Sequence, residues 1–193
     1  LMPHTPDTGQ AGPDADACSC ADGFRLLPVE RGLAVGAMPC KEVHLDLLKA
    51  HGVGAVLNLC AEYCDLPDIE REHGLKVFYL PIDDYDVPDP EALDEALAWV
   101  ESQTGQGGRV YVHCRFGMGR TGTVLYCLLL ARGLRLPEVE RACKGLPARP
   151  VNAKQWRFVT EFARARGLET TWRDTLLGRL LGRIFHLPGR SGR

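Results

Sequence analysis

Apolar residues along the chain keep two rhythms. Compact runs of large or β-branched residues at 24–27, 32–36, 53–59, 75–80 and 109–113 predict strands. Longer stretches with apolar residues three and four apart at 39–51, 65–73, 90–103, 119–132, 137–144 and 152–166 predict helices. The helix at 39–51 is expected to turn Val43, Leu47 and Leu48 inward, and that at 90–103 to bury Leu93, Leu97 and Val100. Strands alternating with helices predict a layered α/β fold. Ligands of such folds gather beyond the carboxyl ends of the strands.

The ends follow neither rhythm. Residues 1–22 hold three prolines and four aspartates with almost no large apolar residue, and are expected to form a disordered tail. Residues 23–168 are expected to form one domain. Residues 169–193 carry five arginines against two acids, with Leu176, Leu177, Leu180, Leu181, Ile184 and Phe185 at helical spacing. This basic amphipathic segment, at 171–187, is expected to pack on the domain, pair with a second copy or lie on an anionic membrane.

Charge and cysteine content narrow the classes. A net charge of −2 over 193 residues gives no global field for nucleic acid. No apolar run approaches the roughly 20 residues of a membrane span, and no secretory leader is legible. Eight cysteines without histidines at finger spacing argue against zinc and for free thiols, so no metal is expected and a cytoplasmic, at most membrane-peripheral, location is.

The chemistry concentrates in residues 112–123. Cys114 and Arg120 stand six positions apart at the two ends of a loop containing Gly117 and Gly119. An apolar strand precedes the loop and a helix follows it. That layout turns backbone N–H groups and the positive end of a helix dipole toward an anion. Both favour a sulfur anion at Cys114. Arg115, Phe116, Gly117, Met118, Gly119 and Arg120 are the candidate phosphate-binding residues, with the Arg120 guanidinium expected to hold two oxygens through its planar fork. Thr121 is expected to donate its hydroxyl to the Cys114 sulfur. Cys114 is then a nucleophile toward phosphorus, and a thiophosphate-enzyme is the expected intermediate.

Cys-x5-Arg-Thr between an apolar strand and an apolar helix resembles the signature of the cysteine-based protein tyrosine phosphatase superfamily, and the short chain resembles its dual-specificity branch. The likeness covers about residues 24–167. It implies a central mixed, mostly parallel sheet of four to five strands flanked by helices, and no cofactor. It also implies a general acid on a loop about thirty residues before the nucleophile. Asp84 lies thirty residues before Cys114, in a stretch stiffened by Pro88 and Pro90, and is the expected acid, with Asp83 and Asp86 as alternates. By the same resemblance, His113 tunes the nucleophile from behind it and Gln155 positions the hydrolytic water. Residues 56–62 resemble a segment of the superfamily in which the cysteine forms a reversible disulfide with the nucleophile. That makes Cys60 the candidate redox partner of Cys114, with Cys64 and Cys127 as rivals.

Phe116 and Met118 suit an aromatic or acyl neighbour better than a polyphosphate, and inositide-directed relatives often carry lysines in this loop. A phosphoprotein is the leading substrate expectation. A lipid phosphatase acting at a membrane and a silent phosphate-binding module are the other two readings.

Overall fold

A computed structural model describes residues 18–19, 23–30 and 32–168. The expectations for the basic amphipathic segment and for nearly all of the N-terminal tail lie outside the described residues. Two tail residues form β1 (Cys18–Ser19). It pairs antiparallel with β2 (Arg25–Pro28), which pairs antiparallel with β3 (Leu33–Ala37). β4 (Val53–Cys60), β5 (Lys76–Ile82) and β6 (Arg109–Cys114) complete the sheet. The order is β1-β2-β3-β6-β4-β5, with β3, β6, β4 and β5 parallel. The expected mixed, mostly parallel sheet is therefore present, as five strands with the two-residue β1 added at one edge. β6 lies between β3 and β4, so its carboxyl end opens at the middle of the sheet.

Side chains alternate across the strands and split the core in two. Val35, Leu57 and Val112 enter one layer, whereas Ala34, Val56 and Tyr111 enter the other. The first layer packs against α3 (Pro90–Gly105), α4 (Arg120–Ala131), α5 (Leu136–Ala142) and α6 (Ala153–Ala165). The second is covered by α1 (Glu42–Ala50). α2 (Leu66–Glu72) packs beside β5. Leu93, Leu97 and Val100 of α3 are buried as expected. Asp89 caps this helix, its carboxylate accepting from the backbone N–H groups of Glu91 and Ala92.

α1 departs from the sequence pattern. Its first helical residue is Glu42, because Lys41 is still extended (φ −142°, ψ 154°). The buried face is His44, Leu45 and Leu48, while Val43 is 53% exposed. The His44 ring stacks on Phe24 at 4.2 Å, so a histidine takes the inward place expected of Val43.

α4 is apolar on all sides, and every residue from Arg120 to Leu130 is buried. Such a helix belongs inside a domain. Gly122 lets it approach the chain after α5: a Cβ there would lie 2.3 Å from Arg149 N. The loop between β6 and α4 needs Gly117 as well, with φ +71° and a would-be Cβ 2.4 Å from Gly36 C at the end of β3.

Candidate active site

Cys114 ends the central strand and Arg120 begins the buried helix, so the six-residue spacing becomes a loop at the carboxyl edge of the sheet. The loop is tied to its surroundings at both ends: Met38 N donates to Arg115 O at 3.4 Å, and Gly119 N to Arg149 O at 3.0 Å. The Gly119 N–H is thus directed at Arg149 and not at the centre of the loop, where the sequence pattern put it. Cys114 is buried, and its thiol donates to Met118 O at 3.0 Å.

Arg120 is nearly sealed from solvent, and one edge of its fork is already engaged. Nη1 and Nη2 donate to Glu62 Oε2 and Oε1 at 2.6 and 2.7 Å, and Nη1 also donates to Ile82 O at 2.9 Å. Nη2 lies 3.3 Å from Asp84 Oδ1. Among the described residues Nε has no partner. Glu62 takes the Nη1–Nη2 edge of the guanidinium, and Nε–H with the second N–H of Nη2 forms the edge that remains for two oxygens of an oxyanion. Burial opposes the guanidinium charge, but the Glu62 bonds with the neighbouring Cys114 and Asp84 outweigh it and raise the Arg120 pKa. The same bond to Arg120 holds the Glu62 carboxyl below its usual range.

Thr121 does not reach the sulfur. Its Oγ1 is buried with no hydrogen-bond partner among the described residues. The Cys114 thiol acts as a donor toward Met118 O, and Thr121 N donates to that same carbonyl at 3.3 Å, so the backbone and not the hydroxyl joins Thr121 to this turn.

The three candidate acids separate clearly. Asp84 faces the site, bonded by Tyr85 N at 3.1 Å and near Arg120. Asp86 pairs with Lys154 Nζ and accepts from Val87 N at 2.6 Å. The Lys154 bond, then the Val87 bond, hold its carboxyl below the usual range. A carboxyl held ionised is a poor proton donor. Asp83 is exposed, and its carbonyl accepts from Asp86 N at 3.0 Å.

The start of α6 clamps this acid-bearing loop. Asn152 Nδ2 donates to Tyr85 O at 2.8 Å, and Gln155 Nε2 to Asp86 O at 3.1 Å. Gln155 Oε1 also accepts from Val151 N at 2.9 Å, so both ends of this buried amide are bonded. Tyr85 has φ +62°, the one non-glycine residue in the left-handed region among the described residues. Asp84, Tyr85, Cys114, Phe116, Met118, Gly119, Arg120, Val151 and Gln155 line a cavity of about 200 Å³. Its rim is apolar: Tyr85, Phe116, Met118 and Val151 are all exposed large side chains. Arg115 lies over the Phe116 ring at 5.0 Å.

His113 and Cys60 lie behind the loop. His113 Nε2 is 2.7 Å from Glu70 Oε1, and its Nδ1 faces Cys60 Sγ at 3.9 Å. Asn58 pairs with His113 in the β4–β6 register, which brings Cys60 near the end of the strand beside Cys114. Burial, then Glu62, push the Cys60 thiol pKa up. Sequence reasoning singled out neither Glu62 nor Glu70. The available signal for Glu70 was its place one helical turn after Leu66, on the buried side of α2.

A thiol at the end of a central strand, a buried guanidinium at the start of the next helix and a carboxylate on a clamped loop define a cysteine-based phosphatase fold. The family described as Swiss Army Knife protein, DSP-PTPase phosphatase domain, matches residues 24–172. The chain belongs to that family. An uncharacterised protein of Methanocaldococcus jannaschii is 31% identical over 105 residues, which cover 54% of this chain and 69% of that protein. A phosphatidylglycerophosphate phosphatase of Arabidopsis thaliana is 28% identical over 72% of this chain, but the match spans 42% of the plant protein. The structure of Tk-PTP in the active form superposes with a TM-score of 0.64 at 31% identity, covering 72% of this chain and 96% of that one.

Proposed function

We propose that this chain hydrolyses phosphate monoesters in proteins, phosphotyrosine foremost and phosphoserine or phosphothreonine as well, through a phosphocysteine at Cys114. The Cys114 sulfur attacks phosphorus, an S–P bond forms and the ester P–O bond breaks. Asp84 gives its proton to the departing oxygen. The Nε edge of Arg120 and the loop backbone hold the phosphoryl oxygens. In the second half, a water near Gln155 gives a proton to Asp84 and attacks phosphorus, and the S–P bond breaks to release inorganic phosphate.

The observation that carries this reading is that Arg120, whose buried Nε has no partner among the described residues, lines the same cavity as Cys114. The apolar rim of Tyr85, Phe116, Met118 and Val151 supports an aryl leaving group over a polyanionic one.

A second reading is hydrolysis of a lipid phosphate. The same apolar rim and the likeness to a phosphatidylglycerophosphate phosphatase favour it. Parallel turnover assays on a phosphotyrosine peptide and on vesicles containing phosphatidylglycerol phosphate separate the two. A higher kcat/KM on the peptide supports the protein reading, and a higher one on vesicles replaces it with the lipid reading. Turnover of neither, or of p-nitrophenyl phosphate only with an added metal ion, rejects both.

A further inference from the structure

The polar residues at the start of α6 do not grip the acid-bearing loop in equivalent ways. Lys154 and Gln155 both reach Asp86, one through its carboxylate and the other through its carbonyl. Asn152 reaches Tyr85, whose carbonyl accepts from Nδ2 at 2.8 Å. The other end of the same amide caps the helix. Asn152 Oδ1 accepts from Gln155 N at 2.9 Å, with the Asn152 backbone extended (φ −140°, ψ 168°). Serine or threonine would cap α6 as well. What they lack is the amide N–H that bonds Tyr85, and among the described residues no other group donates to that carbonyl.

Tyr85 connects this contact to Asp84. Its N–H donates to Asp84 Oδ1 at 3.1 Å, and the same oxygen lies 3.3 Å from Arg120 Nη2. These are the polar contacts of the half-exposed Asp84 carboxyl among the described residues. Tyr85 has φ +62°, a conformation that a bulky residue leaves unless its surroundings hold it there. While Asn152 anchors the Tyr85 carbonyl, the N–H at the other end of that residue stays turned toward Asp84. With the carbonyl released, rotation about the N–Cα bond to negative φ would swing the N–H and the carboxyl apart.

We propose, resting on the reading of Asp84 as general acid, that Asn152 is a positioning residue for it. Asn152 holds Tyr85 by its carbonyl, and Tyr85 holds the Asp84 carboxyl by its N–H. Both contacts on that carboxyl fall on Oδ1, so Oδ2 is the oxygen left to carry the proton that goes to the departing oxygen. Asn152 acts only through this chain. It is not among the residues that line the cavity of Cys114, Asp84 and Arg120, whereas Gln155 is. In the proposed reaction Asn152 serves the first half, in which the ester bond breaks, and Gln155 the water of the second.

The test is the dependence of kcat/KM on the leaving group in the full chain, because kcat/KM reports the steps through P–O cleavage. Phenyl, p-nitrophenyl and 2,4-dinitrophenyl phosphate are compared for wild type, Asn152→Ser, Asn152→Thr and Asp84→Asn. Both Asn152 variants keep an oxygen that caps α6, and neither adds a charge. Each is expected to lose about tenfold on phenyl phosphate, whose leaving oxygen needs a proton, and less than about twofold on 2,4-dinitrophenyl phosphate, whose leaving oxygen does not. Asn152→Ser combined with Asp84→Asn is expected to lose no more than Asp84→Asn alone. A loss equal on all three esters is what a weakened helix cap alone would give. That result, or no loss, in whichever Asn152 variant folds overturns the proposal, as does a double variant whose losses multiply. Selective loss of phenyl phosphate in Asp84→Asn without it in either Asn152 variant overturns the proposal alone. No selective loss in Asp84→Asn, or no turnover of any ester by wild type, overturns the reading of Asp84 as the acid and the proposal with it.

Discussion

Glu62 meets Arg120 end-on, Oε2 to Nη1 at 2.6 Å and Oε1 to Nη2 at 2.7 Å. This pair takes the Nη1–Nη2 edge of a guanidinium that lines the cavity and leaves Nε without a partner among the described residues. Removing it leaves a buried cation without its main partner. Glu62→Gln is expected to destabilise the fold by about 2 kcal/mol at neutral pH and to cut kcat/KM at least tenfold, roughly the worth of one misaimed charged contact. The pH sign follows from the lowered Glu62 pKa. The pair stabilises the fold fully above the ordinary carboxylate range, and the contribution is lost as pH falls through the lowered value. Unfolding midpoints of wild type and Glu62→Gln should therefore differ at neutral pH and converge in acid. A gap constant with pH would assign the loss to packing.

The three aspartates of the acid loop give a second contrast. Asp84→Asn should lower kcat on a phosphotyrosine peptide about 100-fold, lose little on a substrate with an acidic leaving group and flatten the alkaline limb of the pH profile. Asp86→Asn should leave that limb in place, because Lys154 and Val87 hold the Asp86 carboxyl ionised. Full pH–rate profiles of both variants check the assignment.

Much of this was legible in the sequence, for physical reasons. Compact, near-continuous apolar runs locate the strands because both faces of a mostly parallel sheet are covered, and Cys114 and Arg120 fall where a strand must end and a helix must start. The place of Asp84 beside Cys114 and Arg120 was legible in the sequence, whereas what sets it apart from Asp86 is Lys154, 68 positions from Asp86 in the chain. What stayed hidden are partners brought together by folding. Glu62 and Glu70 resemble solvated acids until Arg120 and His113 are seen beside them. Val43 looked as suited to the core as its neighbours, but the Phe24–His44 stack selects the other side of α1.

Tyr85 gives a stability prediction with an unusual sign. A non-glycine residue at φ +62° is strained by about 1 kcal/mol. Asn152 and Gln155 hold the loop there from α6. Tyr85→Gly is expected to raise the thermal midpoint by a few degrees, whereas Tyr85→Ala, which keeps the Cβ, is not. If the ring borders the substrate, both variants should also lower the preference for aryl over alkyl phosphates. Calorimetry and paired kcat/KM measurements check the two effects separately.

Oxidation provides a fourth prediction. Peroxide is expected to oxidise the Cys114 sulfur to a sulfenic acid, whose oxygen the Cys60 thiol is then expected to displace as water, forming a disulfide. The Cys60 thiol is pushed up by burial, so the second step should speed up with rising pH. Peptide mapping after peroxide is expected to give a Cys60–Cys114 link and thiol-reversible inactivation. In Cys60→Ser, Cys114 should pass instead to sulfinic acid. A link to Cys64 or Cys127, or no link at all, would remove Cys60 from this role.

The central claim is a covalent phosphate on the Cys114 sulfur. Rapid acid quenching of a turning-over sample of Asp84→Asn with an aryl phosphate, followed by peptide mass spectrometry, tests it directly. The account predicts phosphate on the Cys114 peptide, and neither phosphate nor turnover in Cys114→Ser. Wild-type turnover by Cys114→Ser, or phosphate mapped to any other side chain, would contradict it.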